Sequence, residues 1–268
     1  MKRLDRMFRR LRNDRRCGLI AYVTCGDPDR ETTVRIAETV EEAGACAIEL
    51  GVPFSDPIAD GPVIQAASQR ALAAGTTIED LFTIARSIRS RSSIPLVAFS
   101  YFNPVLRYGT ERFAESAAAA GIDSLLLTDL PAEAAGDVRK VLRRRGLGMI
   151  FLLAPTSTAA RVRLADRMSD GFVYYVSTNG VTGERRELDR ALLGRLEQVR
   201  TSVRLPLAVG FGISEAKHYE ELKGRCDAVV VGSAIVRAIG DGDAGEAPAR
   251  AAAVVRRILG ERGEGSPK

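Results

Sequence analysis

Glu49, Asp56 and Asp60 are the first residues in this chain whose types and spacing suggest chemistry. The run Ala47-Ile48-Glu49-Leu50 is apolar apart from one carboxylate, and a loop rich in Gly and Pro follows it with two more. An unpaired carboxylate is costly to bury, and burial raises its pKa instead. A carboxyl group held that way can give and take a proton near neutral pH. A Glu at a strand end that points into water fits the same spacing, so both readings are open from these residues alone.

Two further stretches suit an anion. Gly210-Phe211-Gly212 and Gly232-Ser233 each follow a short apolar run. Glycines there let the backbone approach a phosphate, and the N–H groups of a helix N-terminus can hold it. They also serve simple tight turns. The loop Ser177–Arg186 adds Gly180 and Gly183, and its length and glycines suit a mobile lid.

The bulk of the sequence narrows the function classes. Of 268 residues, 46% are hydrophobic and 27% charged, as in ordinary globular proteins. No apolar run is long enough to span a membrane, and the N-terminus lacks the apolar core of a secretory signal. Cys17, Cys25, Cys46 and Cys226 form no CxxC pair, which argues against a zinc site or a disulfide framework and fits a reducing cytoplasm. The single histidine, His218, rules against a multi-histidine metal site and is expected on a helix surface. The net charge of +5 is local: residues 1–16 hold eight Lys/Arg and two Asp, so the rest of the chain nets about −1. A nucleic-acid partner is therefore not expected. Leu4, Met7, Phe8 and Leu11 in this basic segment follow helical spacing and predict an amphipathic helix that covers one end of the domain.

These residues need elements to position them. Short apolar runs recur at Leu19–Thr24, Ala47–Leu50, Pro95–Ser100, Ser124–Leu127, Met149–Leu153, Phe172–Val176, Pro206–Val209 and Ala228–Val231, with helical periodicity between most of them. Continuous apolarity implies strands buried on both faces, as in a parallel sheet. Eight such strands alternating with helices predict a single-domain α/β fold, a (β/α)8 (TIM) barrel over residues 1–260. Residues 1–16 form its capping helix and 261–268 a frayed tail. A doubly wound open sheet is the alternative, but no GxGxxG turn follows the first strand. In a barrel the active site lies at the strands' C-terminal ends. That face would gather Thr24 and Asp27, Glu49 and Asp60, Tyr101 and Asn103, Asp129, Pro155, Thr156 and Ser157, Tyr174 and Tyr175, and the two glycine turns. Two carboxylates with a phosphate grip point to proton transfer on a small phosphorylated molecule.

Several blocks then carry a resemblance. Tyr22-Val23-Thr24-Cys25-Gly26-Asp27-Pro28, the long block Glu49 to Gln65, Phe102-Asn103-Pro104, Ser177 with Gly180-Val181-Thr182-Gly183, and Gly210-Phe211-Gly212-Ile213 resemble the tryptophan synthase α-subunit family, in order, over about residues 15–240. The resemblance implies retro-aldol cleavage of indole-3-glycerol phosphate to indole and glyceraldehyde 3-phosphate in the cytoplasm. It implies a β-subunit partner in an α2β2 assembly and no cofactor in this chain, since the pyridoxal phosphate sits in the partner. It implies Glu49 and Asp60 as the catalytic pair, with Tyr22, Ile64, Phe99, Tyr101, Leu126, Tyr174 and Thr182 around the substrate. The phosphate would meet Gly183, Phe211, Gly212, Gly232 and Ser233, while Pro53 and Asp56 would face the β subunit. No metal site is implied. A self-sufficient lyase and a non-catalytic regulatory subunit remain alternative readings of the same residues.

Overall fold

The apolar runs pair into one parallel sheet that curls back on itself. The structure, a computed structural model, describes residues 2–176, 190–210 and 212–260. Among them the strands are β1 Gly18–Thr24, β2 Ala47–Gly51, β3 Leu96–Ser100, β4 Ser124–Leu127, β5 Gly148–Ile150, β6 Leu152–Leu153, β7 Val173–Val176, β8 Leu207–Gly210 and β9 Ala228–Val231. The helices are α1 Lys2–Asn13, α2 Arg30–Glu42, α3 Pro62–Ala73, α4 Ile78–Arg89, α5 Phe102–Tyr108, α6 Thr110–Ala119, α7 Gly136–Arg144, α8 Ala159–Met168, α9 Arg190–Ser202, α10 Ala216–Leu222, α11 Ser233–Gly240 and α12 Ala247–Leu259.

The strand order is β5-β4-β3-β2-β1-β9-β8-β7-β6, all parallel. The run expected as one strand over Met149–Leu153 is split at Phe151 into β5, which pairs with β4, and β6, which pairs with β7. The two pieces occupy one position in the ring, so the eight-fold barrel is nearly closed. Helices α5 and α11 were not expected from periodicity. Each is short, and α5 carries Pro104 in its first turn, where proline is tolerated.

Strand alternation decides which residues enter the barrel. Ile20, Ala47, Val97, Ile150, Phe172, Tyr174, Ala208 and Val230 form an interior cluster. Their neighbours Leu19, Ala21, Ile48 and Leu50 belong instead to the layer between strands and helices. Helix α1 closes the bottom: Leu4 and Phe8 are buried within the interior cluster, and the Phe8 ring lies 5.6 Å from that of Phe172. Arg3 of α1 donates to Asp123 Oδ1 at 2.9 Å, so part of the basic segment anchors this cap.

One expectation is corrected. His218 is not on a helix surface: it is 1% exposed, on the face of α10 that also buries Tyr219 and Leu222. Its Nδ1 accepts the Ser214 N–H at 3.5 Å. Seven residues give a helix two turns, too few for the sequence to reveal which face turns inward.

Candidate active site

Glu49 owes its position to register. Ala47 points into the barrel, so Glu49, two residues on in β2, points there too, while Ile48 and Leu50 pack outward. It pairs with Tyr22 on one side and Val97 on the other. Its side chain is fully buried, and neither carboxyl oxygen has a hydrogen-bond partner among the described residues. Burial pushes its pKa up to about 8.

Asp60 comes from the loop before α3. The Tyr101 hydroxyl donates to Asp60 Oδ2 at 3.2 Å and itself accepts the Ala59 N–H at 2.8 Å. Gln65 Nε2 donates to the Asp60 carbonyl at 2.8 Å, so the loop is held at side chain and backbone. Partial burial raises the Asp60 carboxyl to about 6, against the lowering effect of the Tyr101 hydrogen bond. The two acids therefore differ in state near neutral pH: Glu49 carries a proton and Asp60 is mostly charged. Tyr22 and Tyr174 are held neutral, with their pKa values pushed well up by burial and then by Asp60 for Tyr22 and Glu49 for Tyr174.

Both acids line one cavity of about 720 Å³ at the C-terminal ends of the strands, within the range of small-ligand sites. Tyr22, Ile64, Phe99, Tyr174, Gly212, Gly232 and Ser233 share that lining. The Tyr22 and Phe99 rings meet edge to face at 5.2 Å. Gly51 makes room for Tyr22, since a Cβ there would lie 2.1 Å from the Tyr22 hydroxyl oxygen. Gly212 has φ +65°, a left-handed backbone that favours glycine. Helix α11 begins at Ser233 on the cavity wall, where its first N–H groups have no helical acceptor and the dipole favours an anion.

Tyr101 acts on the cavity through Asp60 and stacks on Phe54 at 5.1 Å. Leu126 is buried in the interior cluster, and its neighbour Leu127 lines the cavity. Tyr175 faces the outer layer. Asp129 lines the cavity and accepts the Phe102 N–H at 2.7 Å at the start of α5. Pro53 is buried within the chain, and Asp56 is exposed and accepts from the Ser55 hydroxyl. Thr182, Gly183, Phe211 and the loop Ser177–Arg186 lie outside the described residues.

The cavity also uses residues the sequence reading passed over. Leu127 and Leu153 end strands on the same face, a position that could have marked them. Ile58 lines the cavity while 88% exposed, an apolar side chain in a polar loop. Among the described residues no cluster of His, Cys, Asp or Glu could hold a metal ion, and no helix is long and apolar enough to cross a membrane.

Residues 8–261 match the family described as tryptophan synthase alpha chain. The chain is similar to the tryptophan synthase alpha chain of Solibacter usitatus, 53% identical over 239 residues that cover 89% of this chain and 90% of that one. It is similar to that of Methanosarcina acetivorans at 46% identity, covering 90% and 88%. Among solved structures it superposes on tryptophan synthase subunit alpha from Legionella pneumophila with a TM-score of 0.90, 33% identity and 97% of each chain covered. It superposes on a chain of the tryptophan synthase complex from Pyrococcus furiosus with a TM-score of 0.85, 38% identity, and 91% and 98% covered.

Proposed function

This chain belongs to the tryptophan synthase alpha chain family, and from that premise we propose that Glu49 and Asp60 carry out its chemistry. The chain is a lyase that cleaves indole-3-glycerol phosphate to indole and glyceraldehyde 3-phosphate, and it works with a β subunit that takes up the indole.

The observation that carries the residue assignment is the Glu49 carboxyl group, fully buried, without a hydrogen-bond partner among the described residues, and in the same cavity as Asp60. Indole is a poor carbanion leaving group unless C3 is protonated first. Protonated Glu49 delivers that proton, and positive charge appears on the ring nitrogen. Asp60, itself partly buried, accepts the indole N–H and stabilises that charge. The Glu49 carboxylate then takes the proton of the substrate hydroxyl. The carbon–carbon bond breaks, its electrons return to the ring, and indole and the aldehyde separate. Glu49 ends protonated, as it began, so each turnover closes without net proton change.

Tyr22, Ile64 and Phe99 supply apolar and aromatic surface for the indole, with Leu127 beside the assigned Leu126. Gly212, Gly232 and Ser233, with the N-terminus of α11, hold the phosphate, with Gly183 and Phe211 assigned to the same task. Tyr174 and Thr182 complete the substrate set. Pyridoxal phosphate belongs to the β partner, and this chain's own residues need no cofactor. Pro53 and Asp56 belong to the loop that faces the β subunit, and exposed Ile58 beside them gives that loop an apolar contact. The complex works in the cytoplasm as α2β2, and residues 1–260 act as one domain.

The test is indole release from indole-3-glycerol phosphate by the purified chain, with and without β subunit. Slow release that rises sharply on adding β is expected. Full activity without β would overturn the dependence on the partner, and no cleavage in either case would overturn the assignment.

A further inference from the structure

Cys17 Sγ and Cys226 Sγ lie 3.8 Å apart although 209 residues separate them. Cys17 immediately precedes β1 and Cys226 stands two residues before β9, and these strands pair as the first and last of the barrel. The Gly18 N–H donates to the Asp227 carbonyl at 2.9 Å, and the Tyr219 hydroxyl donates to the Cys17 carbonyl at 2.6 Å. The backbones of both cysteines are thus held within about one residue of the same level at the barrel's bottom. A disulfide needs Cα atoms about 4.4–6.8 Å apart, and paired strands run about 4.8 Å apart. The register sets Gly18 beside Ala228, so Cys226 lies one residue from the position opposite Cys17, and the 3.8 Å between the sulfurs has to close to the about 2 Å of a disulfide. Cys17 also lines a second cavity of about 430 Å³ beneath α1, away from the candidate active site, which gives a small oxidant a route to it.

We propose that Cys17 and Cys226 are a modification site, a dithiol that a peroxide oxidises reversibly to a disulfide joining the first barrel strand to the last. The Cys17 sulfur attacks one peroxide oxygen, the O–O bond breaks, and a sulfenic acid forms as the departing hydroxide leaves as water with the Cys17 proton. The Cys226 sulfur attacks the sulfenic sulfur, the S–O bond breaks, and a second water leaves with the Cys226 proton. Two thiols lose two electrons and one peroxide gains them. The cross-link closes a loop across 209 residues of the unfolded chain, which stabilises the barrel. Cys46 lines the same cavity and is the internal competitor.

The test treats the full chain with hydrogen peroxide, then counts thiols after denaturation and maps cross-linked peptides by mass spectrometry. The expected result is loss of two of the four thiols, a 17–226 cross-link within one chain, and a melting midpoint raised by about 5 °C or more. Dithiothreitol should reverse all three, and Cys226→Ser should show none of them. Four surviving thiols, a link through Cys46 or between chains, or a cross-link that leaves the midpoint unchanged would overturn the proposal. Peptide mapping on the unmodified chain decides the pairing even where the variant fails to fold.

Discussion

Glu49 holds a fully buried carboxyl group that no donor meets among the described residues, and that gives it two measurable properties. The first is catalytic. The proposed cleavage needs Glu49 protonated and Asp60 charged, and their pKa values are about 8 and about 6. The pH profile of kcat/KM should therefore be a bell with limbs near those values. Glu49→Gln should lower kcat by about 10³-fold or more with KM little changed, and Asp60→Asn by about 10²-fold with loss of the acid limb. Steady-state kinetics from pH 5 to 9 checks both, and wild-type turnover in Glu49→Gln would remove Glu49 from its role. The second property is stability. The folded pKa of Glu49 lies above its ordinary value of 4.5. Its favourable contribution is complete below that value and is lost as pH rises through 8. Glu49→Gln should thus be more stable than the parent at pH 9 by roughly 4 kcal/mol, with the gap closing toward pH 4. Urea unfolding at the two ends of that range reads the difference.

Elements meet the site through spacing. Strand β2 carries Glu49 inward and then passes the Tyr22 side chain at Gly51, where a Cβ would fall 2.1 Å from the hydroxyl oxygen. Phe99 meets the Tyr22 ring edge to face on one side, and the cavity lies open on another. Gly51→Ala should therefore displace Tyr22 into the cavity. The expected outcome is a loss of about 10-fold or more in kcat/KM with about 1–3 kcal/mol of destabilisation. An unchanged kcat/KM would show that Tyr22 does not shape the pocket. The loop before α3 makes the complementary contribution, since Tyr101 and Gln65 hold Asp60 at its side chain and carbonyl.

The whole molecule sets the candidate active site and the capping helix at opposite ends of the barrel axis. At one end stand the acids and the α11 N-terminus. At the other, α1 seals the interior with Leu4 and Phe8. Phe8→Ala should cost about 3–4 kcal/mol in a denaturant titration, because it leaves a void against Phe172, while kcat stays near the parent value. A fall in kcat comparable to that of Asp60→Asn would show that the two ends are coupled. The proposed Cys17–Cys226 link belongs to this lower end.

The amino-acid sequence by itself determined the eight strand positions of the ring, the barrel class and the candidacy of Glu49. Continuous apolar runs and one misplaced carboxylate are local features, and local features survive without coordinates. The α1 cap was legible for the same reason, since Leu4, Met7, Phe8 and Leu11 repeat at helical spacing. The spacing of Asp56 and Asp60 did not distinguish the two. Only the fold turns Asp60 to the cavity under Tyr101 and leaves Asp56 exposed. The inward face of α10 that buries His218, the early strand split at Phe151 and the meeting of Cys17 with Cys226 were likewise decided in three dimensions. Each depends on which distant strands the closed ring sets side by side. The pKa values of the two acids depend on it too, because desolvation is a property of the assembled cavity rather than of any stretch of chain.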